Sequence, residues 1–548
     1  MTVQNDGLAF LPLGGTGEIG MNLNLYRLGE TWLVVDCGIG FSGNDTPEAE
    51  VLVPDPTFIA ERRGQIAGMV ITHAHEDHLG AVAHLWTRLQ CPIYATPFAT
   101  SVLRRKLSEA RLLHNVTIHT KQPGSRFDVG PFDIEFIPVT HSVPEAQAMA
   151  IRTEYGTIMH TGDWKIDPTP LVGPPTDLKR LKEIGDEGVL ALVCDSTNVM
   201  SKGASRSEAE VREGMTALIA GLKGRIAVTC FASNVARVET IAMAAQAAGR
   251  TVALVGRSLR NLDNSARECG YLSGVLPFVS EQDVNDIPDN ELVMIITGSQ
   301  GEPRSALSRI AIDVHPNVSL GKGDTVIYSS RMIPGNEIAI MQVQDNLTRR
   351  GVTVLTDKDA MVHCSGHATG DDVREMYRLI RPQYAVPTHG EWRHLTAHAA
   401  LAQEQGIDAV LLEDGDILNL APGTVEVVDT APTGRWAVDG TRLLPLDGEV
   451  LAARRKMLFN GLVIASVAID DEGFVIGDPK VSAPGLLDQG DEETDRVKEE
   501  FAISLDEIPD DLRADEHAFR EAAKTALRRA LGRKIQKRPL VDVHILHV

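Results

Sequence analysis

Six consecutive residues concentrate metal-binding chemistry in this chain: His73-Ala-His75-Glu-Asp77-His78. Imidazole nitrogens and carboxylate oxygens are ligands that suit zinc or manganese. The cluster directly follows an apolar run, Met69–Thr72, which is typical of a strand. Because four candidate ligands lie within six residues at the end of a strand, they can converge on one point. The sequence therefore predicts a metal site here.

Three more candidates come at the ends of other predicted strands: Asp36, His141 and Asp163. Each of these residues alone would be weak support for a ligand. Together with the cluster, they predict that one edge of a sheet collects seven metal-binding side chains. The remaining histidines considered stand singly in the sequence and are interpreted as core or surface residues: His84, His114, His119, His394 and His398.

The elements that must position these residues alternate short apolar strands with polar loops. Residues 1–200 contain several such strands, for example Leu23–Leu28 and Phe132–Val139, and a helical pattern from about Leu79 to Leu89. Residues 206–360 repeat strand, loop and helix, which predicts a parallel sheet flanked by helices. From about residue 446 the pattern changes to a charged connector, Glu449–Met457, and a small α/β appendage that ends in the strand Leu540–Val548.

Composition limits the classes of protein that this chain can be. Its 548 residues are enough for two to four domains. The net charge of −22 argues against a protein that coats nucleic acid non-specifically, although residues 206–360 are nearly balanced, with 16 Lys and Arg against 18 Asp and Glu. The six cysteines are scattered, with no C-x-x-C pair, and are interpreted as reduced thiols. We expect a cytoplasmic location, because the sequence has neither a signal peptide nor a membrane-spanning run.

The H-x-H-x-D-H pattern, followed by a later His and Asp, resembles the metallo-β-lactamase superfamily. This resemblance implies that Asp163 bridges two metal ions and that Asp36 orients ligands without binding metal. Retention of both Asp77 and His78 is typical of two-metal members, whose paired ions suit phosphodiester hydrolysis. By resemblance, the first metal is held by His73, His75, His141 and Asp163, and the second by Asp77, His78, Asp163 and the later His389.

The long gap before the last ligand is similar to that of the β-CASP nucleases, in which a second domain is inserted and nucleic acid runs between the two. His389 lies 226 residues after Asp163 in the sequence. Asp195 resembles their motif A, His367 motif B and His389 motif C. The resemblance implies that His367 stabilises the charged phosphorane and that Asp195 orients it, so we count both with Asp77 as catalytic. A histidine at motif C is typical of members that act on RNA.

Within that group the chain is identified as a member of the ribonuclease J family. Cys364 departs from the family pattern, in which an aliphatic residue is more usual. The resemblance implies an α/β fold class. The expected parts are a metallo-β-lactamase αββα sandwich, an inserted α/β β-CASP domain and a small C-terminal α/β domain. The predicted domains are 1–205 and 361–445 for the metallo-β-lactamase domain, 206–360 for the β-CASP domain, 446–460 for a linker and 461–548 for the C-terminal domain. The stretches that carry the resemblance are 14–22, 231–234, 297–303, 330–337 and 363–367.

A second site is implied for the 5′ end of the substrate. Ser233 and Asn234 precede a predicted helix, where N-cap residues and free N–H groups favour anions. Simple helix capping would also explain Ser233. By resemblance, Ser233, Asn234, His363 and Ser365 form a pocket for a terminal 5′-monophosphate.

The motif Gly15-Thr-Gly17-Glu-Ile-Gly20 matches a dinucleotide-binding fingerprint, which requires a helix to begin there. Residues 22–28 instead alternate polar and apolar side chains, which indicates a strand. We therefore predict a glycine-rich β-hairpin turn close to the metals.

The resemblance implies an RNA phosphodiesterase with two divalent metal ions. Zinc is favoured, with manganese or magnesium as alternatives. We expect a 5′-to-3′ exonuclease that prefers 5′-monophosphate RNA and also cuts internally, with roles in rRNA maturation and mRNA decay. The expected partners are single-stranded RNA and further copies of the chain, as a homodimer or homotetramer, and no membrane. Three alternatives stay open: a β-CASP endonuclease without 5′-end dependence, a small-molecule metallo-hydrolase and a non-enzymatic RNA-binding scaffold.

Overall fold

The computed structural model describes residues 7–41, 46, 49–333, 335–488, 492–532, 535 and 537–548. The chain divides into two compact units, one formed by residues up to 45 with 51–438 and one by 46–50 with 439–548. Among the helices of the described residues, none is long and apolar enough to cross a membrane.

Two sheets face each other in the first unit and enclose one hydrophobic core. Phe10, Leu33 and Val70 from one sheet pack with Phe136 and Met149 from the other, all of them buried. Burial of one such side chain contributes about 1.5–3 kcal/mol. In the described residues, the order of neighbouring strands in the first sheet is Glu426–Thr430, Asp416–Ala421, Leu8–Gly14, Leu23–Leu28, Thr31–Val35, Ile66–Val70, Ile93–Ala95 and Ile118–Thr120. The order in the second sheet is Arg126–Val129, Phe132–Pro138, Gln147–Thr153, Gly156–His160, Ala191–Asp195, Tyr384–Thr388 and Asp408–Ala409.

Short strands form further pairs outside these two sheets. Thr16–Gly17 pairs in parallel with Gly390–Glu391, so the glycine-rich turn lies beside the residues that follow the strand Tyr384–Thr388. Val51–Pro54 pairs antiparallel with both Gly40–Phe41 and Arg435–Asp439.

Helices cover the outer face of the second sheet, where Leu181, Met376 and Ala402 pack against Leu192 and Met159 in a second core. Helical periodicity produces this packing, because each helix turns an apolar stripe toward the sheet. In the described residues, the α-helices that connect the strands of the two facing sheets are Thr57–Ala60, Glu76–Leu79, Val82–Leu89, Pro97–Glu109, Leu178–Glu187, Gly370–Ile380 and Trp392–Glu404.

Residues 206–360 form the predicted parallel sheet with flanking helices. All strand pairs recorded in this sheet are parallel, and its core holds Ala253, Met294 and Val326. The strand order in the described residues is Val279–Ser280, Thr251–Val255, Leu292–Ile296, Ile226–Thr229, Thr325–Tyr328 and Thr353–Leu355; the helices are Glu208–Gly221, Val235–Ala247, Arg257–Glu268, Ala306–Ala311 and Glu337–Arg349.

The second unit has an apolar core of its own. Val463, Ala465 and Val467 lie on one face of a strand, because alternate residues of a strand point the same way. They pack in one buried cluster with Phe501 and Phe519 from two helices. The strands of this unit's three-stranded sheet, in the described residues, are Lys480–Ser482, Leu462–Ile469 and Leu540–His547; its helices are Glu449–Asn460, Glu492–Asp506, Asp510–Arg513 and Glu516–Gly532.

Two expectations about elements need correction. The strand predicted at Met69–Thr72 is Ile66–Val70, because the backbone N–H of Thr72 donates to the Asp36 carboxylate at 2.8 Å and not to a neighbouring strand. The charged connector Glu449–Met457 lies within a helix, Glu449–Asn460. The other strands named above agree with the structure to within about two residues at each end, which is the usual uncertainty of such boundaries.

Candidate metal centre

Residues from both facing sheets meet at one edge of the first unit. His73 and His75 follow the strand Ile66–Val70, and the short helix Glu76–Leu79 carries the next two candidate ligands. The second sheet contributes the other candidates, because its strands end at the same edge. These are His141 after Phe132–Pro138, Asp163 after Gly156–His160 and His389 after Tyr384–Thr388.

The first group of candidate ligands is His73, His75, His141 and Asp163, with one donor atom of each within 4.8 Å of the others. His75 Nδ1 lies 3.1 Å from His73 Nε2 and 3.0 Å from His141 Nε2. Oδ2 of Asp163 lies 3.7 Å from His73 Nε2 and 3.6 Å from His141 Nε2. Three imidazoles and one carboxylate thus surround one point, as a bound zinc or manganese ion requires.

The second group is Asp77, His78, Asp163 and His389, also within 4.8 Å of one another. Here the other oxygen of Asp163, Oδ1, lies 3.3 Å from His78 Nε2 and 3.6 Å from His389 Nε2. Oδ2 of Asp77 lies 3.2 Å from His389 Nε2. Because its two oxygens face different groups, Asp163 has the geometry of a carboxylate that bridges two cations.

Threonine hydroxyls orient two of these imidazoles. The Thr72 hydroxyl donates to Asp36 at 2.8 Å, so its oxygen is left to accept from His73 Nδ1 at 3.0 Å. The Thr197 hydroxyl donates to the carbonyl of His389 at 3.0 Å, and its oxygen can accept from Nδ1 of the same residue at 2.8 Å. In both rings Nε2 then keeps its lone pair for a metal.

Other partners orient the remaining rings. Asp36 accepts from His78 Nδ1 at 2.7 Å, and the carbonyl of Gly366 accepts from His141 Nδ1 at 2.6 Å. His75 is the exception, since its Nε2 bonds to Ser142 Oγ at 3.2 Å and its Nδ1 faces the group. Sequence reasoning identified Asp36 but missed the other partners. In the sequence, the one indication of these partners was that residues with hydroxyl side chains lie next to the motifs that contain the candidate ligands. The partners that were not predicted are Thr72, Ser142, Thr197 and Gly366.

The charges of the site suit divalent cations. Burial lowers the pKa of His73 and His141 well below the usual value, and that of His75 to about 4, so these rings are neutral, as metal ligation requires. Burial also opposes a proton on His78, but the nearby carboxylates, led by Asp163, raise its pKa overall. Oδ1 of Asp163 is buried, and among the described residues no donor meets it with good hydrogen-bond geometry, although His78 Nε2 lies 3.3 Å away. A buried carboxylate oxygen without a hydrogen bond is costly unless a cation lies beside it.

Asp195 and His367 form a pair at the border of the site. His367 Nδ1 lies 2.9 Å from Asp195 Oδ2 and 3.7 Å from Asp163 Oδ2. Burial disfavours the charged ring, but the two carboxylates outweigh it and raise the pKa of His367 to about 9. The ring keeps 22% of its side-chain surface exposed. The raised pKa favours the protonated ring, and part of that ring is open to solvent.

The glycine-rich motif forms a turn between two antiparallel strands, Leu8–Gly14 and Leu23–Leu28, and no helix begins there. This agrees with the hairpin prediction and excludes the dinucleotide fingerprint. Gly20 has φ +93, and a Cβ there would lie 3.2 Å from the Cβ of Asp77. The motif thus provides close approach of the backbone to the second ligand group.

A pair of carboxylates supports this turn. Oδ1 of Asp414 accepts from the Thr16 N–H at 2.9 Å, while Glu18 pairs with Arg435 at 2.7 Å. Burial, together with the charge of Glu18, raises the pKa of Asp414 to about 8. Asp414 therefore keeps its proton at pH values where it would lose it in the unfolded chain.

We expect Asp414→Asn to stabilise the protein at pH 8 and much less at pH 5. An acid whose pKa is raised on folding makes the native state lose stability as the pH rises from about 4 toward 8. The amide removes that loss and can still accept from Thr16. Thermal unfolding at the two pH values should show a gain of about 1–3 °C at pH 8. An equal shift at both pH values would contradict this explanation.

The predicted 5′-phosphate residues are brought only partly together. Asn234 and Ser365 line one cleft beside His141. The Asn234 side chain caps the helix Val235–Ala247 by accepting from the Arg237 N–H at 2.8 Å. Ser233 and His363 do not line this cleft, but each is close in sequence to a residue that does.

Comparison with known proteins matches four family models in succession. Residues 31–177 match a beta-lactamase superfamily domain, and residues 223–347 match the beta-CASP domain of ribonuclease J. Residues 351–412 match a Zn-dependent metallo-hydrolase RNA specificity domain, and residues 449–548 match the ribonuclease J C-terminal domain.

Relatives named ribonuclease J align along nearly the whole chain. The protein of Sinorhizobium meliloti is 44% identical, with 100% of this chain and 98% of the relative covered. The protein of Mycolicibacterium smegmatis is 37% identical, with 99% and 98% covered. A crystal structure of a protein of unknown function from Enterococcus faecalis shares the fold at 17% identity and a TM-score of 0.53, over 75% of this chain and 100% of that one. The chain, with its metallo-β-lactamase, β-CASP and C-terminal domains, belongs to the ribonuclease J family.

Proposed function

We propose that this protein is a metal-dependent ribonuclease that degrades single-stranded RNA from its 5′ end, prefers a 5′-monophosphate and also cuts internally. The observation that carries the proposal is Asp163, whose two oxygens face two separate ligand groups. A pair of cations clamped in this way suits phosphodiester hydrolysis. The names of the relatives support RNA as the substrate.

The proposed chemistry divides between bound metal and protein. When bound, two divalent cations would polarise the scissile phosphate and lower the pKa of a water molecule from about 15.7 toward 7. The protonated His367 ring would donate to the charge that develops on the phosphorane. Asp195, at 2.9 Å, would hold that ring in place and keep it charged. The ligand set and these two roles are proposals that the atomic distances support.

Zinc is the proposed metal, with manganese or magnesium as alternatives. The matched RNA specificity domain is named for zinc dependence. The two proposed ligand groups combine imidazole nitrogens with the carboxylates of Asp77 and Asp163. Such mixed nitrogen and oxygen sites accept zinc and manganese. We further propose a cytoplasmic protein that acts in rRNA maturation and mRNA decay.

The proposed domain division assigns residues 1–205 and 361–445 to one metal-binding domain and residues 206–360 to an insertion. Strand pairing supports it, because Ala191–Asp195 lies parallel to and beside Tyr384–Thr388 in the same sheet although the insertion separates them in sequence. RNA would run between the two parts. The linker 446–460 and the domain 461–548 complete the proposed division.

The decisive experiment is a cleavage assay on one RNA labelled in turn at its 5′ and 3′ ends. The RNA would carry a 5′-monophosphate, hydroxyl or triphosphate, and each reaction would run with and without chelator. We expect metal-dependent release of mononucleotides from the 5′ end, fastest from the monophosphate. Discrete internal fragments that do not depend on the 5′ group would favour a β-CASP endonuclease. No cleavage with zinc, manganese or magnesium would favour a small-molecule hydrolase.

We expect Ser233→Ala combined with Ser365→Ala to lower the preference for monophosphate over triphosphate ends about tenfold. Loss of hydrogen bonds to a charged phosphate typically has an effect of this size. The measurement is the ratio of the two initial rates. A matched double variant at exposed serines of the inserted part, Ser280→Ala with Ser319→Ala, should keep the wild-type ratio. An unchanged ratio in the first variant would remove these serines from the pocket.

A homodimer or homotetramer is proposed, with the C-terminal unit as a contributor. This unit has its own core and exposes large apolar side chains, including Ile503 at 62% and Leu546 at 54%. Apolar side chains that are exposed in one copy contribute favourable free energy when an interface removes them from water. We expect deletion of residues 461–548 to reduce the oligomer, from a tetramer to a dimer or from a dimer to a monomer. Light scattering would measure this change as a lower molar mass. A truncated protein that stays dimeric would contradict this role.

A further inference from the structure

A short segment, 362–367, connects the cleft to the candidate metal centre. Ser365 lines the cleft, and the carbonyl of the next residue, Gly366, accepts from His141 Nδ1 at 2.6 Å. His367, which pairs with Asp195, ends the segment. The segment thus joins the two sites, with residues 362–364 at the end away from the metal-centre contacts of Gly366 and His367.

Arg237 contacts this segment from the helix Val235–Ala247 and is fully buried. Its Nη1 lies 3.2 Å from the carbonyl oxygen of Val362 and 3.2 Å from His363 Nδ1, and its Nη2 lies 3.8 Å from Cys364 Sγ. One guanidinium thus holds three consecutive residues of the segment. The same helix begins directly after Asn234, which lines the cleft together with Ser365.

The buried charge of Arg237 is neutralised by Glu208. The carboxylate accepts from Nε at 2.7 Å and from Nη2 at 2.9 Å, which is the paired geometry that only arginine offers. Ser329 completes the set, because its carbonyl and hydroxyl oxygens each accept from Nη1 at 2.8 Å and its hydroxyl donates to Val362 at 2.6 Å.

A buried ion pair is a poor source of stability compared with apolar packing, and in some proteins it specifies one arrangement of the elements that it joins. We propose that Arg237 is a positioning residue that fixes segment 362–367 against the N-terminus of the helix Val235–Ala247. In this role it sets the separation of Asn234 and Ser365 and thereby the selectivity for the 5′ group. The inference rests on the proposed function, because it assigns Arg237 to the proposed 5′-phosphate pocket.

The test compares Arg237→Lys with Arg250→Lys. A lysine at 237 keeps the charge but cannot reach Glu208 and the segment at once. Arg250 is a matched control, since it is also buried in the inserted part and donates to the carbonyls of Leu222 and Gly224, away from the cleft. Each variant would be assayed for 5′-monophosphate RNA, 5′-hydroxyl RNA and circular RNA, which has no 5′ end.

We expect Arg237→Lys to lower the ratio of monophosphate to hydroxyl rates at least about tenfold, the effect of a charged hydrogen bond. Cleavage of circular RNA should fall much less, because it does not use the pocket. General destabilisation would instead lower all three rates in parallel and leave the ratio unchanged, as we expect for Arg250→Lys.

If the ratio of monophosphate to hydroxyl rates stays unchanged in Arg237→Lys, or falls equally in Arg250→Lys, the positioning role of Arg237 is wrong. The proposed pocket would not be affected by that result. A wild-type enzyme without any preference would overturn the proposed pocket as well. If Arg237→Lys does not fold, Ser329→Ala decides the question, because it removes the two hydroxyl bonds, to Val362 and from Arg237 Nη1, and leaves the ion pair with Glu208 intact. We expect that variant to lower the ratio about threefold, and an unchanged ratio would contradict the inference.

Discussion

Asp77→Ala is expected to abolish phosphodiester hydrolysis while leaving the fold intact. Asp77 belongs to the second ligand group, with its Oδ2 at 3.2 Å from His389 Nε2 and 3.7 Å from His78 Nε2. Metal ions provide several kcal/mol of transition-state stabilisation, and about 4 kcal/mol corresponds to about a thousandfold in rate. The side chain is 30% exposed, so its loss leaves no large internal cavity.

The measurements are the RNA cleavage rate, metal content after dialysis, and thermal unfolding. Glu76→Ala is the matched control, because it removes the same charge from the same short helix but pairs with Lys106 and belongs to none of the ligand groups among the described residues. We expect the control to keep most of its activity and its full metal content. Retained turnover or unchanged metal content in Asp77→Ala would contradict the assignment of this residue.

His367→Ala is expected to lower the cleavage rate at least about a hundredfold without loss of metal. The ring lies beside Asp195 and Asp163, and its raised pKa makes it a cation at neutral pH. Loss of one preorganised donor to a developing negative charge typically costs about 10²–10³ in rate. The expected reduction is in kcat more than in KM, because the charge develops only in the transition state.

His84→Ala provides the control for this variant, since His84 lies on the helix Val82–Leu89 and belongs to no group of candidate ligands in the described part of the chain. It should keep near wild-type activity. His367, Asp195, Asp163 and His389 also form a group that could itself hold a cation. A loss of bound metal from His367→Ala would therefore make His367 a ligand and contradict its role as a donor.

Much of the fold followed from local patterns. Alternating polarity identified strands such as Leu23–Leu28, whose bounds the structure reproduces. The pattern failed at Thr72, because a long-range bond to Asp36 replaces the next strand pairing there. It also described Glu449–Met457 only as a connector, since that helix has a weak separation of polar and apolar faces.

For the site, the sequence by itself determined the types of the side chains and the strand ends that carry them. Closely spaced residues such as His73 and Asp77 must be neighbours, because a few covalent bonds join them. The role of His389 followed from the family resemblance and not from spacing. Nothing in the sequence distinguishes Thr197 or Gly366 as partners of imidazoles.

Only the tertiary structure decided which atoms face one another. The two oxygens of Asp163 serve different ligand groups because the two sheets pack with their strand ends at one edge. The buried pair of Glu208 and Arg237 arises in a similar way, from the packing of two helices, Glu208–Gly221 and Val235–Ala247. Hydrogen bonds and ligation depend on separations of about 3 Å. Separations that small are set by packing between elements, and spacing along the chain does not determine them.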